Sequence, residues 1–355
     1  MVVQYRFVTY WEGYPEDDAS GKKIRPFPLN EISDQATHVP IAFCAPAKAH
    51  PDDPLATTWE FDDSFVYTKA QILAWIAELK TKRGDSQKIL LSFQDTPDIH
   101  WYPNVDLAAF AKNLAKDIYA YGIDGVDIDA ESGMGENKNR KGFIGPRHKD
   151  DPYVPTFIKL ITLLRTELDS LAVLHPKIPA KIISYTCYTQ SDYDKQILAV
   201  TKNCIEYLMT MAYWDTLSAD IVLFQTYAEM IGDSSKIGIG VACQPSGTDM
   251  ATVKAVGKWL VLNNYRSMML WSATRDLDGT YGNTIVEILS PPKNKLQLSL
   301  DADVIFAEME TPVYYPKPTW DFLSLQLSLV SAGLKSLCCC DSDDDGYETK
   351  NTCKP

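Results

Sequence analysis

The chain has 355 residues, 45% hydrophobic and 23% charged, with 34 Lys+Arg against 47 Asp+Glu and a formal net charge of −13. This composition excludes disorder as the dominant state, and the acidic balance excludes nucleic acid or an anionic membrane as the main partner, because phosphate is held by Lys and Arg. No stretch reaches the roughly 18–20 consecutive apolar residues of a membrane helix, which leaves a neutral or cationic substrate open.

The N-terminus, from Met1 to Tyr10, lacks the basic and apolar regions of a secretory signal. Two compartments stay open: the cytoplasm, or secretion if the chain is a processed form. Short β-branched or apolar runs then predict strands at Tyr5–Tyr10, His38–Phe43, Lys88–Phe93, Ile123–Asp129, Lys181–Cys187, Ile205–Met211, Lys236–Val241 and Ser267–Ser272. Helical spacing predicts Ala70–Lys82 (Ile72, Ile76 and Leu79 on one stripe), Leu107–Tyr121, Thr156–Val173 and a closing helix at Asn283–Leu289. Several strands are apolar nearly throughout, as parallel strands covered on both faces are. Eight strands alternating with helices predict an α/β fold, a (β/α)8 TIM barrel over residues 1–290. An open doubly wound sheet would want a Gly-rich phosphate turn after its first strand, and none is present. Only 25 residues lie between Val241 and Ser267, too few for an insertion domain between strands seven and eight.

Pro291-Pro292 marks a break. Residues 291–337 read as an extension packing on the barrel, and residues 338–355 as a mobile Cys/Asp-rich tail. Cys44, Cys187, Cys204 and Cys243 sit singly in apolar runs and read as core. Cys338, Cys339, Cys340 and Cys353 crowd the tail, where a disulfide, a lipidated cluster or plain thiols stay open. No CxxC pair exists, so a zinc ribbon is not expected. Asp341 to Gly346 matches half a calcium loop, but Thr352 stands where the bidentate Glu belongs, so no metal or other cofactor is expected.

In such a barrel the C-terminal strand ends carry the chemistry. Strand four ends Asp124-Gly-Val-Asp127-Ile-Asp129-Ala-Glu131. The i, i+2, i+4 spacing puts Asp127, Asp129 and Glu131 on one face, with Val126, Ile128 and Ala130 on the other. Three acids therefore climb the barrel lumen towards its mouth. Stacked buried acids are costly unless some are protonated. Asp127 and Asp129 are expected to share a proton, leaving Glu131 to be held protonated near neutral pH as a general acid. A solvated polar strand is hard to reconcile with the apolar alternate positions. A divalent metal would recruit His or acids from other strand ends, where aromatics stand instead.

This segment resembles the DxxDxDxE signature of family 18 glycoside hydrolases: chitinases, endo-β-N-acetylglucosaminidases and their inactive lectin-like relatives. Thr37-His-Val-Pro-Ile-Ala-Phe43 resembles that family's second strand, Lys88-Ile-Leu-Leu-Ser92 the start of its third-strand motif, Met211-Ala-Tyr213 its sixth, and Met269-Leu-Trp271 its eighth. The likeness spans roughly residues 1–290. It implies that Glu131 protonates the glycosidic oxygen while the substrate's own N-acetyl oxygen attacks the sugar. Asp129 would polarise the acetamido N–H, Asp127 would hold Asp129, Tyr213 would donate to the acetamido oxygen, and Trp271 would floor the −1 sugar. Asp129 and Glu131 lie about 6.6 Å apart on one strand, on the same side, unlike a nucleophile and acid that flank a bond.

Two departures bear on the pocket. Where the family reads Ser-x-Gly-Gly, this chain has Ser92-Phe93-Gln94-Asp95, and Trp214 stands where Asp or Asn follows Met-x-Tyr, with Asp215 one residue later. Gln94, Asp95, Trp214 and Asp215 are thus candidate substrate contacts. So are the strand-end aromatics Tyr10, Trp11, Trp101, Tyr102, Tyr185 and Tyr188, each of which serves equally well as core packing. Residues 132–153 form a long fourth βα loop, a substrate rim or a plain surface loop. The expected partner is a GlcNAc-containing glycan, either the chitobiose core of an N-glycan or a chitin oligosaccharide, acted on by a monomer. The alternative is a catalytically weak carbohydrate-binding protein on the same barrel.

Overall fold

The computed structural model describes residues 5–17, 23–95, 104–131, 153–187, 192–243 and 247–290. Eight strands form a closed ring: β1 (Arg6–Thr9), β2 (His38–Ala47), β3 (Lys88–Asp95), β4 (Gly125–Ala130), β5 (Ile182–Cys187), β6 (Tyr207–Thr210), β7 (Ile237–Ala242) and β8 (Ser267–Trp271). Every neighbouring pair is parallel, and the ring closes where Arg6 to Thr9 of β1 run beside Ser267 to Leu270 of β8. After Tyr10 the first strand resumes as Trp11–Glu12, paired with Ile41 and Ala42 of β2. The helices are α1 (Lys69–Arg83), α2 (Leu107–Ala120), α3 (Tyr153–Leu174), α4 (Asp192–Thr201), α5 (Leu217–Ile231), α6 (Met250–Leu262) and α7 (Thr280–Leu289). This is the predicted (β/α)8 barrel. Between β7 and β8 the described residues hold one helix, α6, and no further domain.

Local chemistry sets the boundaries. Thr68 and Gln71 form a capping box that starts α1, and the Asp106 and Asp249 carboxylates cap α2 and α6. Thr216 caps α5, which stops at Gly232 in the left-handed region, φ 79°. β2 runs four residues past its predicted end at Phe43. An antiparallel strand, Thr58–Phe61, pairs with Cys44 to Ala47 and satisfies that backbone.

The strands separate two apolar layers. Outward-facing Val126, Ile128, Ala130, Ile183, Tyr185 and Cys187 pack against the helices. Inward-facing Val8, Tyr10, Phe43, Tyr207, Met209, Met211, Tyr213 and Met269 fill the lumen. Two glycines of β7 make room for this filling. A Cβ on Gly238 would lie 2.4 Å from Met209 Sδ, and one on Gly240 would lie 2.6 Å from Met269 Cε. Cys44, Cys187 and Cys243 are buried and Cys204 is partly so. Trp101, Tyr102, Tyr188, the fourth βα loop up to residue 152, the extension and the Cys/Asp tail lie outside the described residues.

Candidate active site

The parallel register aligns the lumen side chains in rungs. Ser92 of β3, Asp127 of β4 and Ser184 of β5 stand on one level, and Gln94, Asp129 and Thr186 on the next. On the lower rung, Asp127 Oδ2 accepts hydroxyl hydrogen bonds from Ser92 (2.7 Å) and Tyr10 (2.8 Å), and Oδ1 accepts from Ser184 (2.6 Å) and Thr186 (3.2 Å). Burial raises the proton affinity of Asp127, and these four hydroxyl donors oppose that rise. With both oxygens occupied by donors, the charged form of Asp127 is favoured more than burial alone would allow, although its proton affinity stays above the ordinary value. Hydroxyls from three other strands thus hold Asp127 in place at the base of the column.

Asp129 is buried, and its Oδ1 has no hydrogen-bond partner. Burial, then the charges of Glu131 and Asp127, push its carboxyl well above the usual carboxylate range. Of the two buried aspartates, Asp129 is the one whose neutral form is favoured more strongly. Glu131 follows the last residue of β4 and is half-buried; its Oε1 accepts from Gln94 Nε2 at 2.8 Å. Tyr213, past the end of β6, is buried, and its hydroxyl donates to Met269 Sδ at 3.7 Å. Burial and the charges of Asp129, Glu131, Glu12 and Asp127 hold its phenol protonated, so it remains a donor facing the acids. Trp271, half-buried at the end of β8, stacks on Phe43 (centroids 5.6 Å, planes 19° apart) and touches Tyr10 at 5.2 Å. The peptides Ala42–Phe43 and Trp271–Ser272 beside this stack are cis.

Other predicted contacts are placed differently. Tyr10 is in the lumen but 1% exposed, committed to Asp127 and to Thr186 Oγ1 (2.8 Å), so it supports an acid and offers no face to a sugar. Trp11 points the opposite way: it packs against Phe65, Tyr67 and Trp75 and donates from Nε1 to the Phe27 carbonyl. Tyr185 also faces outward, its hydroxyl donating to Asp194 Oδ1 at 2.6 Å. Neither reaches the lumen, because each lies one residue out of phase with the inward positions of its strand. Trp214 is half-exposed and edge-on to Tyr213. Asp215 stays at the surface, its amide donating to the Ala212 carbonyl. The side chain of Asp95 lies outside the described residues.

Sequence reasoning missed Glu12, which is fully buried. It accepts from Arg275 Nε and Nη2 (both 3.0 Å), from Thr274 (3.2 Å) and from Ser272 Oγ. The Arg275 guanidinium also lies 5.5 Å from the Trp271 ring centroid, so this pair braces the ring from β1 and the end of β8. The available signal was position: Glu12 is two residues beyond the lumen-facing Tyr10.

Near the site, Asp220 in the first turn of α5 is 2% exposed and its Oδ1 lacks a partner. Burial, with the charge of Asp215 adding to it, pushes its carboxyl up to about 8 from an ordinary 3.8. Between those two values the folded state binds the extra proton, so this group's contribution to stability declines as pH rises from about 4 to about 8. Asp220→Asn is expected to melt above wild type at pH 8 and to lose that advantage at pH 4. Thermal denaturation at both pH values measures it.

No protein-family model matches the chain, and no curated protein matches it either. Solved structures do. A family 18 chitinase from Pseudoalteromonas aurantia superposes with a TM-score of 0.56 at 17% identity, covering 80% of this chain and 99% of that one. A family 18 N-acetylglucosaminidase from Paenibacillus barengoltzii gives 0.57 at 13%, covering 80% and 100%. A family 18 chitinase from Cycas revoluta in complex with (GlcNAc)3 gives 0.55 at 13%, covering 80% and 99%. The chain has the (β/α)8 barrel fold of these family 18 glycoside hydrolases.

Proposed function

We propose that the chain is a family 18 glycoside hydrolase that cleaves β-1,4-linked N-acetylglucosamine within a glycan, with retention and with the substrate's acetamido group as nucleophile. The observation that carries this reading is the unpartnered Oδ1 of Asp129, buried between Asp127 below and Glu131 above. An acetamido group seated over Trp271 supplies what this arrangement lacks. Its N–H meets Asp129 and its carbonyl oxygen meets the Tyr213 hydroxyl. The carbonyl oxygen attacks the anomeric carbon as the Glu131 proton passes to the glycosidic oxygen and the bond to the leaving sugar breaks. The negative charge that Asp127 and Asp129 hold between them offsets the positive charge of the oxazolinium. Water, deprotonated by Glu131, then attacks the same carbon from the face the leaving group vacated, which restores both the acetamido group and the acid.

The family 18 neighbours, one with (GlcNAc)3 bound, support a GlcNAc glycan as the substrate class. Among the described residues, one helix, α6, lies between β7 and β8, with no insertion domain. The lack of an insertion there and the sequence Gln94-Asp95 in place of the pattern's two glycines favour the chitobiose core of an N-glycan slightly over chitin oligosaccharides. Chitotetraose, a high-mannose glycopeptide and cellotetraose make the deciding panel. Cleavage of one or both GlcNAc substrates is expected, with cellotetraose intact. Binding without cleavage would make the chain a carbohydrate-binding protein, and cleavage of cellotetraose would remove the acetamido mechanism.

A further inference from the structure

The bond between Gln94 and Glu131 has no counterpart in the Ser-x-Gly-Gly pattern that the third strand otherwise resembles, where a glycine stands at this position. Gln94 is level with Asp129 in the β3–β4 register, so its side chain enters the lumen beside the acid column. There it extends one step up the column, and Nε2 donates to Glu131 Oε1 at 2.8 Å. Glu131 lies immediately past the end of β4, where the ladder no longer fixes its direction. A side chain based on β3 supplies that constraint.

The chemistry of the contact is one-sided. An amide N–H only donates, and it cannot receive the proton that the acid must give away. With Oε1 occupied by a donor, the transferable proton belongs on Oε2. We propose that Gln94 is a positioning residue for the acid, its amide holding Glu131 Oε1 so that Oε2 carries the proton towards the glycosidic oxygen. This rests on the reading of Glu131 as the general acid. Among the described residues, Asp129 on β4 and Tyr213 after β6 feel the charge of Glu131. A change at position 94 leaves both in place.

A donor to the ionised carboxylate favours that form, so removing it makes Glu131 harder to deprotonate. In Gln94→Ala and in Gln94→Gly, the alkaline limb of the kcat/KM profile is expected to move up by about one pH unit. The kcat at the optimum is expected to fall about tenfold with KM changed less than about threefold, as for loss of orientation and not of binding. Carboxyl 13C NMR gives a readout independent of turnover: the Glu131 resonance, assigned by its loss in Glu131→Gln, is expected to titrate at correspondingly higher pH in both variants. A lower kcat with an unmoved pH limb and an unmoved carboxyl titration overturns the proposal and leaves Gln94 a packing residue. If wild type cuts neither GlcNAc substrate, the functional reading fails, while the titration still decides whether Gln94 holds Glu131.

Discussion

Glu131→Gln is expected to lower kcat on a cleaved GlcNAc substrate by about a thousandfold, within the range ascribed to a positioned acid–base group. The substitution is nearly isosteric, and its amide oxygen can still accept from Gln94 Nε2, the contact seen at 2.8 Å in the wild type. The lumen beneath it, with Asp127 on its four hydroxyls, is untouched. Glycan affinity measured by calorimetry is therefore expected to stay within a few-fold of wild type. An effect on kcat with binding preserved separates a lost proton donor from a damaged cleft. Retention of more than a tenth of wild-type kcat would remove Glu131 from the role.

Asp127→Ala is expected to carry the largest stability cost of any substitution in the lumen, about 3–5 kcal/mol, because it strands several buried donors at once. Ser92 and Ser184 are fully buried and Tyr10 and Thr186 are each 1% exposed, so water does not replace the lost carboxylate. The Tyr10–Thr186 contact at 2.8 Å can absorb one of the four hydroxyls, which keeps the cost below a simple sum. For a barrel of this size the loss corresponds to a drop in Tm of roughly 10 °C. Asp127→Asn keeps one acceptor oxygen and is expected to cost less than half as much. Equal melting of Asp127→Ala and wild type would mean that the hydroxyl cage does not hold the base of the acid column.

Much of the barrel was legible because its signals are local and redundant. All eight strands are apolar runs, and the predicted helices at Ala70, Leu107, Thr156 and Asn283 appear within three residues of those starts. The acid column was legible for a similar reason: the pleat assigns Asp127 and Asp129 to one face and Val126, Ile128 and Ala130 to the other without help from any neighbour. Legibility failed where the outcome depended on a second strand. That Asp127 is satisfied by Tyr10, Ser92, Ser184 and Thr186 follows from the register of β3 and β5 against β4 and from the reach of Tyr10 across the lumen, which no single segment encodes. The strand-end aromatics failed differently. Alternation from Val8 and Tyr10 already put Trp11 outward and Glu12 inward, and the polar pair Ser184 and Thr186 already marked the inner face of β5. Aromatic identity outweighed phase in the reading of Trp11 and Tyr185, and phase was the better guide.

The central claim is that the acetamido oxygen of the substrate is the nucleophile, and its nucleophilicity can be varied without touching the protein. A series of aryl chitobiosides carrying N-acetyl, N-fluoroacetyl, N-difluoroacetyl and N-trifluoroacetyl groups at the −1 sugar progressively withdraws electrons from that oxygen. Log kcat/KM measured across the series is predicted to fall steeply with each added fluorine. A flat series would contradict the account, because it would assign the attack to water or to a carboxylate of the protein.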